Sequence, residues 1–438
     1  MNPGLKFTVH TLGCKLNFAE SSWLANQLQD AGYASVTFGE PTDILVLNTC
    51  SVTENANKKC RSVIQRARRK NPELFTIVMG CYAQLKPSEI SMIPGVNMVI
   101  GASEKFNLLE HLENGVPEMN RVFGGPIKDV KEFKPSYSSG DRTRTFLKVQ
   151  DGCDYFCTFC TIPLARGLSR SSSIDQCVEQ VKEVVDKGVK EVVLTGVNIG
   201  DFGTGTSENF LALIEQLDEL EGIDRYRISS IEPNLLTDDI IDFVANSRRF
   251  MPHFHIPLQS GSDRILKAMK RKYDKSLFKE RVDRIRSQMP MAGVGIDVIT
   301  GFPGETEEDF QETFDLVAQL GASYLHVFTY SERANTKAIR LTDSVDMAVR
   351  RDRSRRLQEL SRKLKRNFYL TNQGQRASVL FEKSENGYLE GFTDNYIRTI
   401  IPGKSDLENC IIDVKLASLD GQDRMVAIKE EKLETISA

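Results

Sequence analysis

The 438-residue sequence lacks the features of a membrane-bound or exported protein. No apolar run approaches the roughly 18 residues that a transmembrane helix needs, and the first residues, MNPGLKFTVH, lack the charged start and apolar stretch of a signal peptide. The sequence also has no long repeat and no low-complexity tract. These absences predict a cytoplasmic globular protein without a membrane partner.

The sequence also lacks an excess of basic charge, because it has 57 Lys and Arg residues and 60 Asp and Glu residues, which gives a net charge of −3. This balance excludes a uniformly basic surface, so contact with nucleic acid must come from local patches. Residues 58–70 carry seven basic and no acidic side chains, and residues 350–366 carry nine basic against two acidic ones. A solvated helix face explains either patch equally well.

Strands alternate with helices in the first part of the chain. Short apolar runs are typical of strands at 5–13, 43–49, 74–80 and 97–100. Helical patterns lie between and after them at 18–31, 53–70, 84–91 and 104–113. This alternation predicts an open parallel α/β sheet over residues 1–115. The stretch 116–141 combines Gly, Pro and charges without periodicity and is predicted to be a linker.

The alternation resumes in a second domain, predicted over residues 142–370. Six strand candidates lie at 145–150, 191–196, 226–230, 254–258, 295–300 and 324–329. Six such units predict a partial (β/α) barrel with its active site at the carboxyl ends of the strands. A basic helix at about 343–370 ends this domain, and five runs of period two then predict a small antiparallel β-barrel over residues 371–438. The fold class is therefore α/β with a C-terminal β-barrel.

The positions of the nine cysteines indicate metal chemistry rather than disulfides in a reducing compartment. Cys153, Cys157 and Cys160 form a C-x3-C-x2-C run directly after the first strand of the second domain. Three thiolates on one tight loop can hold three irons of a 4Fe-4S cluster and leave the fourth iron open to a reactant. Structural zinc is the alternative, but it prefers four closed ligands, and no partner Cys or His pair lies nearby.

A second set of cysteines follows the first three predicted strands, at Cys14, Cys50 and Cys81. Ligands of open α/β sheets bind beyond the carboxyl ends of the strands, so these three thiols are predicted to converge on a second cluster. The alternative is three unrelated strand-end residues. The remaining cysteines are predicted to be buried small apolar side chains, namely Cys60, Cys177 and Cys410.

The run DGCDYFCTFC at the end of the first barrel strand resembles the radical S-adenosylmethionine (SAM) superfamily. In that superfamily, SAM binds the open iron, and one electron delivered through the cluster breaks its sulfonium C–S bond to give a carbon radical. The resemblance implies that the SAM pocket is lined by Gly196, Gly200, Glu232, Gly295, Gly301 and Gly304. Turns that follow strands need glycine in any case.

The motifs HTLGCKLN, NTCSVT and MGCY ahead of QDGCDYFCTFCTIP closely resemble the methylthiotransferases, over essentially the whole chain. TLGCKLN, ARGLSRS, SSIEP and HIPLQSGSD are most similar to the branch that acts on threonylcarbamoyladenosine beside the tRNA anticodon. The resemblance implies two 4Fe-4S clusters and SAM as cofactors. One SAM would methylate a sulfur held at the N-terminal cluster, and a second would give the 5′-deoxyadenosyl radical that activates the adenine C2–H. No side chain is assigned as catalytic, because the cofactors carry the hard step.

Other functions remain compatible with these motifs. Sibling branches act on isopentenyladenosine in tRNA or on a ribosomal-protein aspartate, and a non-catalytic, metal-stabilised RNA-binding protein is a further alternative. The expected partners are the tRNA anticodon stem-loop and an external electron donor, and the expected state is a monomer. The stretch YSERANT (330–336) departs from the family pattern, which has Pro-Gly after the Arg.

The C-terminal segment is similar to the small RNA-binding β-barrel of this family. Tyr388, Phe392 and Tyr396 alternate with charged residues, as a surface that stacks on bases and contacts phosphates requires. Ordinary barrel core explains any one of them at least as well. His253 and His255 alternate on a predicted barrel strand, so they share one face and are predicted either to line the cavity or to be structural histidines.

Overall fold

Three structural units follow one another along the chain. The computed structural model describes residues 4–51, 53–113, 121–139, 143–403 and 405–430. Parts of the predicted linker (116–120 and 140–141) and residues 431–438 of the predicted C-terminal domain lie outside the described residues. No helix among the described residues is both long enough and apolar enough to cross a lipid bilayer.

The first unit is a six-stranded parallel sheet with the order β2-β1-β3-β4-β5-β6. Its strands are β1 (Lys6–Thr11), β2 (Ala34–Ser35), β3 (Ile44–Thr49), β4 (Phe75–Gly80), β5 (Met98–Ile100) and β6 (Arg121–Phe123). Every residue of β3 and β4 is buried, as expected of central parallel strands that helices cover on both faces. The four predicted strands are confirmed. In addition, β6 extends the sheet from within the stretch that was predicted to be a linker.

Five helices accompany this sheet: α1 (Lys15–Asp30), α2 (Glu54–Lys70), α3 (Cys81–Leu85), α4 (Pro87–Ser91) and α5 (Leu108–Glu113). The helix predicted at 84–91 is instead two short helices, because Pro87 at the first position of α4 starts a new helix after Lys86. The helix predicted at 104–113 begins with a 3-10 turn at Lys105–Asn107.

The central unit is a curved sheet of six parallel strands, and the predicted partial barrel is confirmed. The described residues of this unit form nine strands in all: β7 (Ser136–Tyr137), β8 (Arg144–Lys148), β9 (Gln150–Asp151), β10 (Arg170–Ser171), β11 (Glu191–Thr195), β12 (Arg225–Ile228), β13 (His253–Gln259), β14 (Gly293–Thr300) and β15 (Tyr324–Thr329). Of these, β9 and β10 form a separate antiparallel pair. The barrel order is β8, β11, β12, β13, β14 and β15, and a bridge between Ser230 and His255 joins its two halves. β7, from the predicted linker, pairs antiparallel with β8.

Helices pack on the outer face of this curved sheet. The short helix α6 (Ile162–Arg166) packs against α3 of the first unit, and the outer helices are α7 (Ile174–Asp186), α8 (Phe210–Asp218), α9 (Asp238–Asn246), α10 (Asp263–Ala268), α11 (Lys275–Gln288), α12 (Glu307–Leu320) and α13 (Met347–Thr371). Alternate strand residues such as Leu147, Val192 and Ile256 join the apolar core beneath the helices. The residues between them face inward, toward a space that we call the lumen.

The first helix of the N-terminal unit lies against this inner face. Phe18 and Ala19 of α1 pack on Phe146 of β8 and Val193 of β11. The ring centroids of Phe18 and Phe146 are 6.4 Å apart. The N-terminal unit therefore packs on the partial barrel through α1, which lies in the lumen.

The third unit is a closed five-stranded barrel with the order β16-β17-β18-β20-β19, as predicted. Its strands are β16 (Arg376–Glu385), β17 (Tyr388–Thr393), β18 (Arg398–Pro402), β19 (Ile411–Leu419) and β20 (Met425–Lys429). One pairing differs from the antiparallel prediction, because β18 and β20 close the barrel in parallel.

The small barrel covers the amino-terminal end of the lumen. Arg225 at the start of β12 donates to the Ser378 carbonyl oxygen at 2.7 Å. Arg227 donates to the Asp394 carbonyl oxygen at 2.9 Å, and the Asn395 side chain donates to the Met291 carbonyl oxygen at 2.8 Å. The small barrel thus closes the amino-terminal end of the lumen. The loops that carry the cysteines lie at the opposite end, where the strands end.

Candidate active site

The loop that carries Cys153, Cys157 and Cys160 follows β9 at the carboxyl end of the partial barrel. Gly152 turns the chain into it with φ of +71°, and a Cβ there would overlap the Leu168 carbonyl oxygen. Within the loop, the Cys160 amide donates to the Cys157 carbonyl oxygen at 3.0 Å. This turn brings the thiols close enough that, after the larger effect of burial, the charges of Cys160 and Cys157 raise the pKa of Cys153.

Each sulfur of this loop accepts a hydrogen bond. The Tyr155 amide lies 3.5 Å from the Cys153 sulfur, and the Ile162 amide lies 3.4 Å from the Cys160 sulfur. The Arg271 guanidinium lies 3.0 Å from the Cys157 sulfur. Such donors stabilise the thiolates of an iron-sulfur cluster and tune its potential.

Burial raises the pKa of the Cys153 and Cys160 thiols to about 12. The thiols therefore need a positively charged partner to ionise, and iron supplies that charge. Three convergent thiols, of which Cys157 is buried and the other two are half-buried, with donors to every sulfur fit a 4Fe-4S cluster with one open iron.

The second set of thiols lies at the carboxyl ends of β1, β3 and β4. Cys14 precedes α1, Cys50 follows β3, and Cys81 is the first residue of α3. Gly13, with φ of +123°, lies so close to Cys50 that a Cβ on Gly13 would be 2.7 Å from the Cys50 Cβ. The charge of Cys14 in turn raises the pKa of Cys81, after the larger effect of burial. The structure therefore brings the three predicted residues together.

The two sets of thiols adjoin the boundary between the first two units. α3, which begins at Cys81, packs against α6, which begins two residues after Cys160. Burial lowers the pKa of Arg166 at the end of α6, the charges of Glu20 and Asp151 raise it, and those of Cys81 and Cys14 add a smaller increase. The two sites therefore share one side of the molecule.

A buried ionic network lies beside the N-terminal thiols. Four cations surround two carboxylates within ion-pair distance, namely Lys105, Lys148, Arg166 and Arg170 around Glu20 and Asp151. After burial, which would raise it, the neighbouring cations hold the pKa of Glu20 well below its usual range. The two extra positive charges fit a neighbouring cluster whose three thiolate ligands make it anionic.

A cavity of about 220 Å³ opens beside Cys160. The N-terminal unit, the cysteine loop and the strand ends β13 to β15 all contribute to its wall, through Thr53, Phe159, Gln259, Asp297, Phe328 and Ser331. A larger groove of about 670 Å³ lies at the amino ends of β1 and β3, away from every one of the six thiols. The smaller cavity is therefore the better candidate for a reactant site.

The loop 330–336 forms part of this boundary. Arg333 donates to the Ser51 hydroxyl at 2.6 Å and pairs with Glu54 at 3.3 Å. Asn335 adopts φ of +66° at the position where the family pattern has Gly. Asn is among the few residues that adopt this left-handed conformation readily, so it can replace glycine in this turn.

Among the predicted SAM-binding residues, Glu232 lies next to the cysteine loop. It pairs with Arg271, the same side chain that donates to Cys157. Burial raises the pKa of Glu232, and the Arg271 charge opposes this shift. Glu232 therefore positions the cation that contacts the sulfur.

Local packing alone requires glycine at several of the predicted SAM-binding positions. The space that a Cβ would fill is occupied by Gln150 at Gly196, Leu235 at Gly200, Tyr324 at Gly295 and Arg350 at Gly301. Gly301 and Gly304 also adopt φ of +75° and +80°. Contact between these glycines and SAM stays a prediction.

The sequence patterns did not predict several polar residues that surround the cysteine loop. Asn234 donates to the Tyr155 hydroxyl at 2.6 Å, and Asn198 donates to Asp201 at 2.7 Å. Burial raises the pKa of Asp201 to about 6. Arg271 was missed too, because nothing in the run KRKY (270–273) distinguishes the one arginine that points at a sulfur from its exposed neighbours.

The two predicted histidines share the inner face, as expected. His253 stacks on Tyr396 with centroids 4.5 Å apart, and its Nε2 lies 2.9 Å from the Tyr324 hydroxyl. His255 lies 2.8 Å and His326 lies 3.1 Å from the same oxygen of Asp297, so they form a cluster within the lumen.

The three C-terminal aromatics do not form one exposed stacking surface. Phe392 and Tyr396 stack on each other at 4.7 Å, and Arg144 covers both rings. They pack at the lumen end, whereas Tyr388 is exposed. The predicted RNA-stacking surface is therefore wrong for Phe392 and Tyr396, because their rings pack between the small barrel and the partial barrel.

The two basic patches differ in how many of their cations are paired with carboxylates. Most cations of the 350–366 patch are paired with carboxylates within the protein, at Arg350, Arg353, Arg355, Arg356 and Arg366. In the 58–70 patch on α2, Arg61 is the cation that pairs with carboxylates among the described residues. Its exposed cations are Lys58, Lys59, Arg66, Arg68, Arg69 and Lys70.

The three remaining cysteines differ in burial. Cys60 and Cys177 are buried, as predicted. Cys410 is only half-buried and precedes β19, so the prediction of a buried position is wrong there.

Comparison with known proteins matches this architecture. Residues 147–317 match the radical SAM superfamily, and residues 6–101 match a family described as uncharacterized protein family UPF0004. The radical SAM methyltransferase TsrM from Kitasatospora setae has the same fold with a TM-score of 0.56, at 14% identity over 74% of this chain and 73% of that one.

Relatives of known function extend over nearly the whole chain. The threonylcarbamoyladenosine tRNA methylthiotransferase MtaB of Bacillus subtilis is 40% identical over 93% of this chain and 92% of its own. The enzyme of the same name from Aquifex aeolicus is 39% identical over 90% and 96%. The tRNA-2-methylthio-N(6)-dimethylallyladenosine synthase of a Jannaschia species is 35% identical over 94% and 91%. The chain belongs to the radical SAM methylthiotransferase family.

Proposed function

We propose that this protein adds a methylthio group to C2 of threonylcarbamoyladenosine next to the anticodon of tRNA, with SAM as both methyl donor and radical source. Four relatives at 37–40% identity carry the name of that activity and support this substrate. The observation that carries the proposal is the packing of α3 on α6, which brings two three-thiol sites to the same boundary. One site suffices for SAM cleavage, whereas sulfur insertion needs a second site that holds sulfur.

The two clusters would be held by Cys153, Cys157 and Cys160 and by Cys14, Cys50 and Cys81. Bound there together with SAM, they supply radical chemistry that can attack an aromatic C–H bond, which offers general acid–base catalysis no acidic proton. The chain itself holds the thiols, donates to every sulfur of the Cys153 loop and neutralises charge with Arg271. SAM is proposed to lie between this loop and the strand ends that carry Gly196, Gly200, Glu232, Gly295 and Gly301.

The proposed contact surface for the anticodon stem-loop is the exposed basic face of α2. Its cations are free of carboxylate partners among the described residues, Arg61 excepted, so they remain available to phosphates. α2 begins four residues after Cys50, which places its first turns beside the thiols. The basic helix α13 is the weaker candidate, because its arginines are largely paired within the protein.

The proposed setting is a cytoplasmic monomer that takes its electron from an external donor, since neither SAM nor tRNA supplies one. The proposed domains are 1–115 with the second cluster, a connection over 116–141, the radical SAM barrel over 142–370 and the small RNA-binding barrel over 371–438.

The test is a reaction of the anaerobically reconstituted protein with SAM, dithionite and tRNA that carries threonylcarbamoyladenosine, followed by nucleoside mass spectrometry. The expected product is the 2-methylthio derivative. Parallel reactions offer isopentenyladenosine tRNA and the ribosomal protein with its target aspartate. Product from either of those alone contradicts the proposed substrate, and iron and sulfide for one cluster or none indicates the non-catalytic alternative.

A further inference from the structure

Three side chains of the kind that bind metal ions converge on the inner face of the partial barrel, on its last three strands. His255 lies on β13, Asp297 on β14 and His326 on β15. His255 Nε2 lies 2.8 Å and His326 Nδ1 lies 3.1 Å from Asp297 Oδ1. The three ligand atoms all lie within 4.8 Å of one another. Neither cysteine site includes these residues, and the proposed function does not use them.

The strand register brings this cluster together. Asp297 and His326 are direct neighbours in the pairing of β14 with β15. His255 lies opposite Gly295, two residues before Asp297 on the same face of β14. Because glycine has no side chain, the His255 imidazole can cross β14 at that level and reach the carboxylate. The cluster therefore stands on strands rather than on loops, and strands hold ligands more precisely.

The Asp297 carboxylate differs from other carboxylates of the interior in its partners. Glu20, Glu191 and Glu232 each pair with an arginine. Within the part of the chain that the structure describes, Asp297 has no lysine or arginine at ion-pair distance and contacts the two histidines instead. Its side chain is 17% exposed, and a carboxylate that little water reaches is stabilised by a bound cation.

The spacing of the cluster fits a divalent metal ion. Two atoms that each lie about 2.0–2.1 Å from one zinc ion, at an angle of about 90–110°, are separated by about 3 Å. Both distances from Asp297 Oδ1 have this length. Two imidazoles and one carboxylate form a ligand set that zinc and ferrous iron both accept. Hydrogen bonds from the imidazoles to the carboxylate have the same length, so a measurement of metal binding decides between the two.

The cluster borders the cavity beside Cys160. Asp297 is part of the cavity wall, and so are Gln259 and Phe328, which lie further along the strands that carry the two histidines. Three protein ligands leave one position of a tetrahedral zinc ion open, and in enzymes water or substrate takes that position. An oxygen atom of a molecule in the cavity can therefore complete the coordination.

We propose that His255, Asp297 and His326 bind one divalent transition-metal ion, of which Zn²⁺ is the probe, beside the reactant cavity. The ion is a third metal centre of the protein. It is bound through nitrogen and oxygen, whereas the ligands proposed for both clusters are sulfur. This difference makes the site distinguishable from zinc that has entered a cysteine site.

The test is zinc binding by the reconstituted wild-type holoenzyme. Equilibrium dialysis against Zn²⁺, followed by elemental analysis, measures zinc and iron in the same sample. The holoenzyme is expected to bind one zinc ion per chain without loss of iron. X-ray absorption at the zinc edge is expected to show nitrogen and oxygen neighbours at about 2.0–2.1 Å and no sulfur at about 2.3 Å.

Two variants test the ligands. Asp297→Asn keeps the shape of the side chain but removes its charge, and His326→Gln removes the most exposed ligand. Each is expected to weaken zinc binding at least tenfold to a hundredfold, about the loss caused by removing a group that merely supports a ligand. His111→Gln is the matched control. His111 lies 3.3 Å from Glu104, but among the described residues no third ligand completes that pair, so zinc binding should be unchanged.

Three results overturn the proposal. The wild-type holoenzyme binds no zinc, its zinc has sulfur neighbours, or Asp297→Asn and His326→Gln bind zinc as tightly as the wild type. If a variant does not fold, the absorption spectrum of the wild type decides. The outcome is independent of the tRNA substrate, so a failure here leaves the proposed function intact.

Discussion

Glu20 on α1 and Arg166 at the end of α6 form a two-point ion pair inside the protein. Arg166 Nη1 lies 3.0 Å from Oε1, and Nη2 lies 3.1 Å from Oε2. Neither side chain is more than 4% exposed. The pair joins the helix that follows Cys14 to the helix that follows Cys160, so it fixes one thiol site against the other.

Replacing Glu20 with Gln is expected to destabilise the protein by about 3–5 kcal/mol. The substitution leaves Lys148 and Arg166 with Asp151 as their remaining carboxylate and leaves Lys105 without an ion pair among the described residues, and buried cations without partners are costly. Urea unfolding followed by circular dichroism measures the change. Glu179→Gln breaks the exposed pair with Lys182 and is expected to cost under about 1 kcal/mol. Equal effects of the two substitutions would contradict the role of the network.

Much of this arrangement follows from strand periodicity in the sequence. The alternation of apolar strand runs with helices identifies the six barrel strands, and the period of two along β13 puts His253 and His255 inside. The thiols converge because Cys14, Cys50 and Cys81 each follow a strand of one parallel sheet, whose carboxyl ends share an edge.

Contacts between the units could not be predicted in this way. Glu20 and Arg166 are 146 residues apart, and no local pattern marks either as the other's partner. The basic run of α13 was a candidate patch for nucleic-acid contact for the same reason. The carboxylate that neutralises Arg353 and Arg356 is Glu307 on α12, and the local sequence of α13 does not indicate it. Nor does any local periodicity indicate that α1 packs inside the lumen.

Single cysteine substitutions are expected to remove one cluster at a time. Cys157→Ala should abolish SAM cleavage, whereas Cys50→Ala should abolish methylthio transfer but spare 5′-deoxyadenosine formation, because each thiol belongs to a different site. Iron and sulfide analysis with product quantification measures both. Cys177→Ala, a buried cysteine on α7, is the control and should retain both clusters. Methylthio transfer that survives in either of the first two variants contradicts the assignment.

Gly152 and Gly188 provide a matched pair, because both adopt φ of +71°. A Cβ at Gly188 meets nothing within 4 Å, so Gly188→Ala should cost only the backbone strain of about 1–2 kcal/mol. At Gly152 a Cβ also overlaps the Leu168 carbonyl oxygen, so Gly152→Ala should displace the Cys153 loop and lower its iron content. Thermal unfolding and iron analysis separate the two effects. Normal iron content in Gly152→Ala would show that the loop tolerates the shift.

Neutralising the first turns of α2 should weaken tRNA binding. The double variant Lys58→Gln with Lys59→Gln removes two exposed cations, and the slope of log affinity against log salt should fall by about one per lysine. Filter binding at several salt concentrations measures it. The matched variant Arg362→Gln with Lys363→Gln removes two exposed cations from α13 and should change the slope little. The reverse pattern would assign the RNA to α13.

Arg271→Met is expected to lower the reduction potential of the Cys153 loop cluster, on the order of tens of millivolts. The arginine side chain is 3% exposed and donates to the Cys157 sulfur, so its loss removes both a hydrogen bond and a positive charge that stabilise the reduced, more negative cluster. It also leaves Glu232 as an unpaired carboxylate, which acts in the same direction. Redox titration monitored by electron paramagnetic resonance measures the shift in Cys50→Ala protein, which retains this cluster alone.

Lys272→Met is the control for this prediction. It removes an exposed positive charge one residue away and should leave the potential nearly unchanged, because water screens that charge. Equal shifts in the two variants would mean that overall charge, rather than the contact with the sulfur, sets the potential.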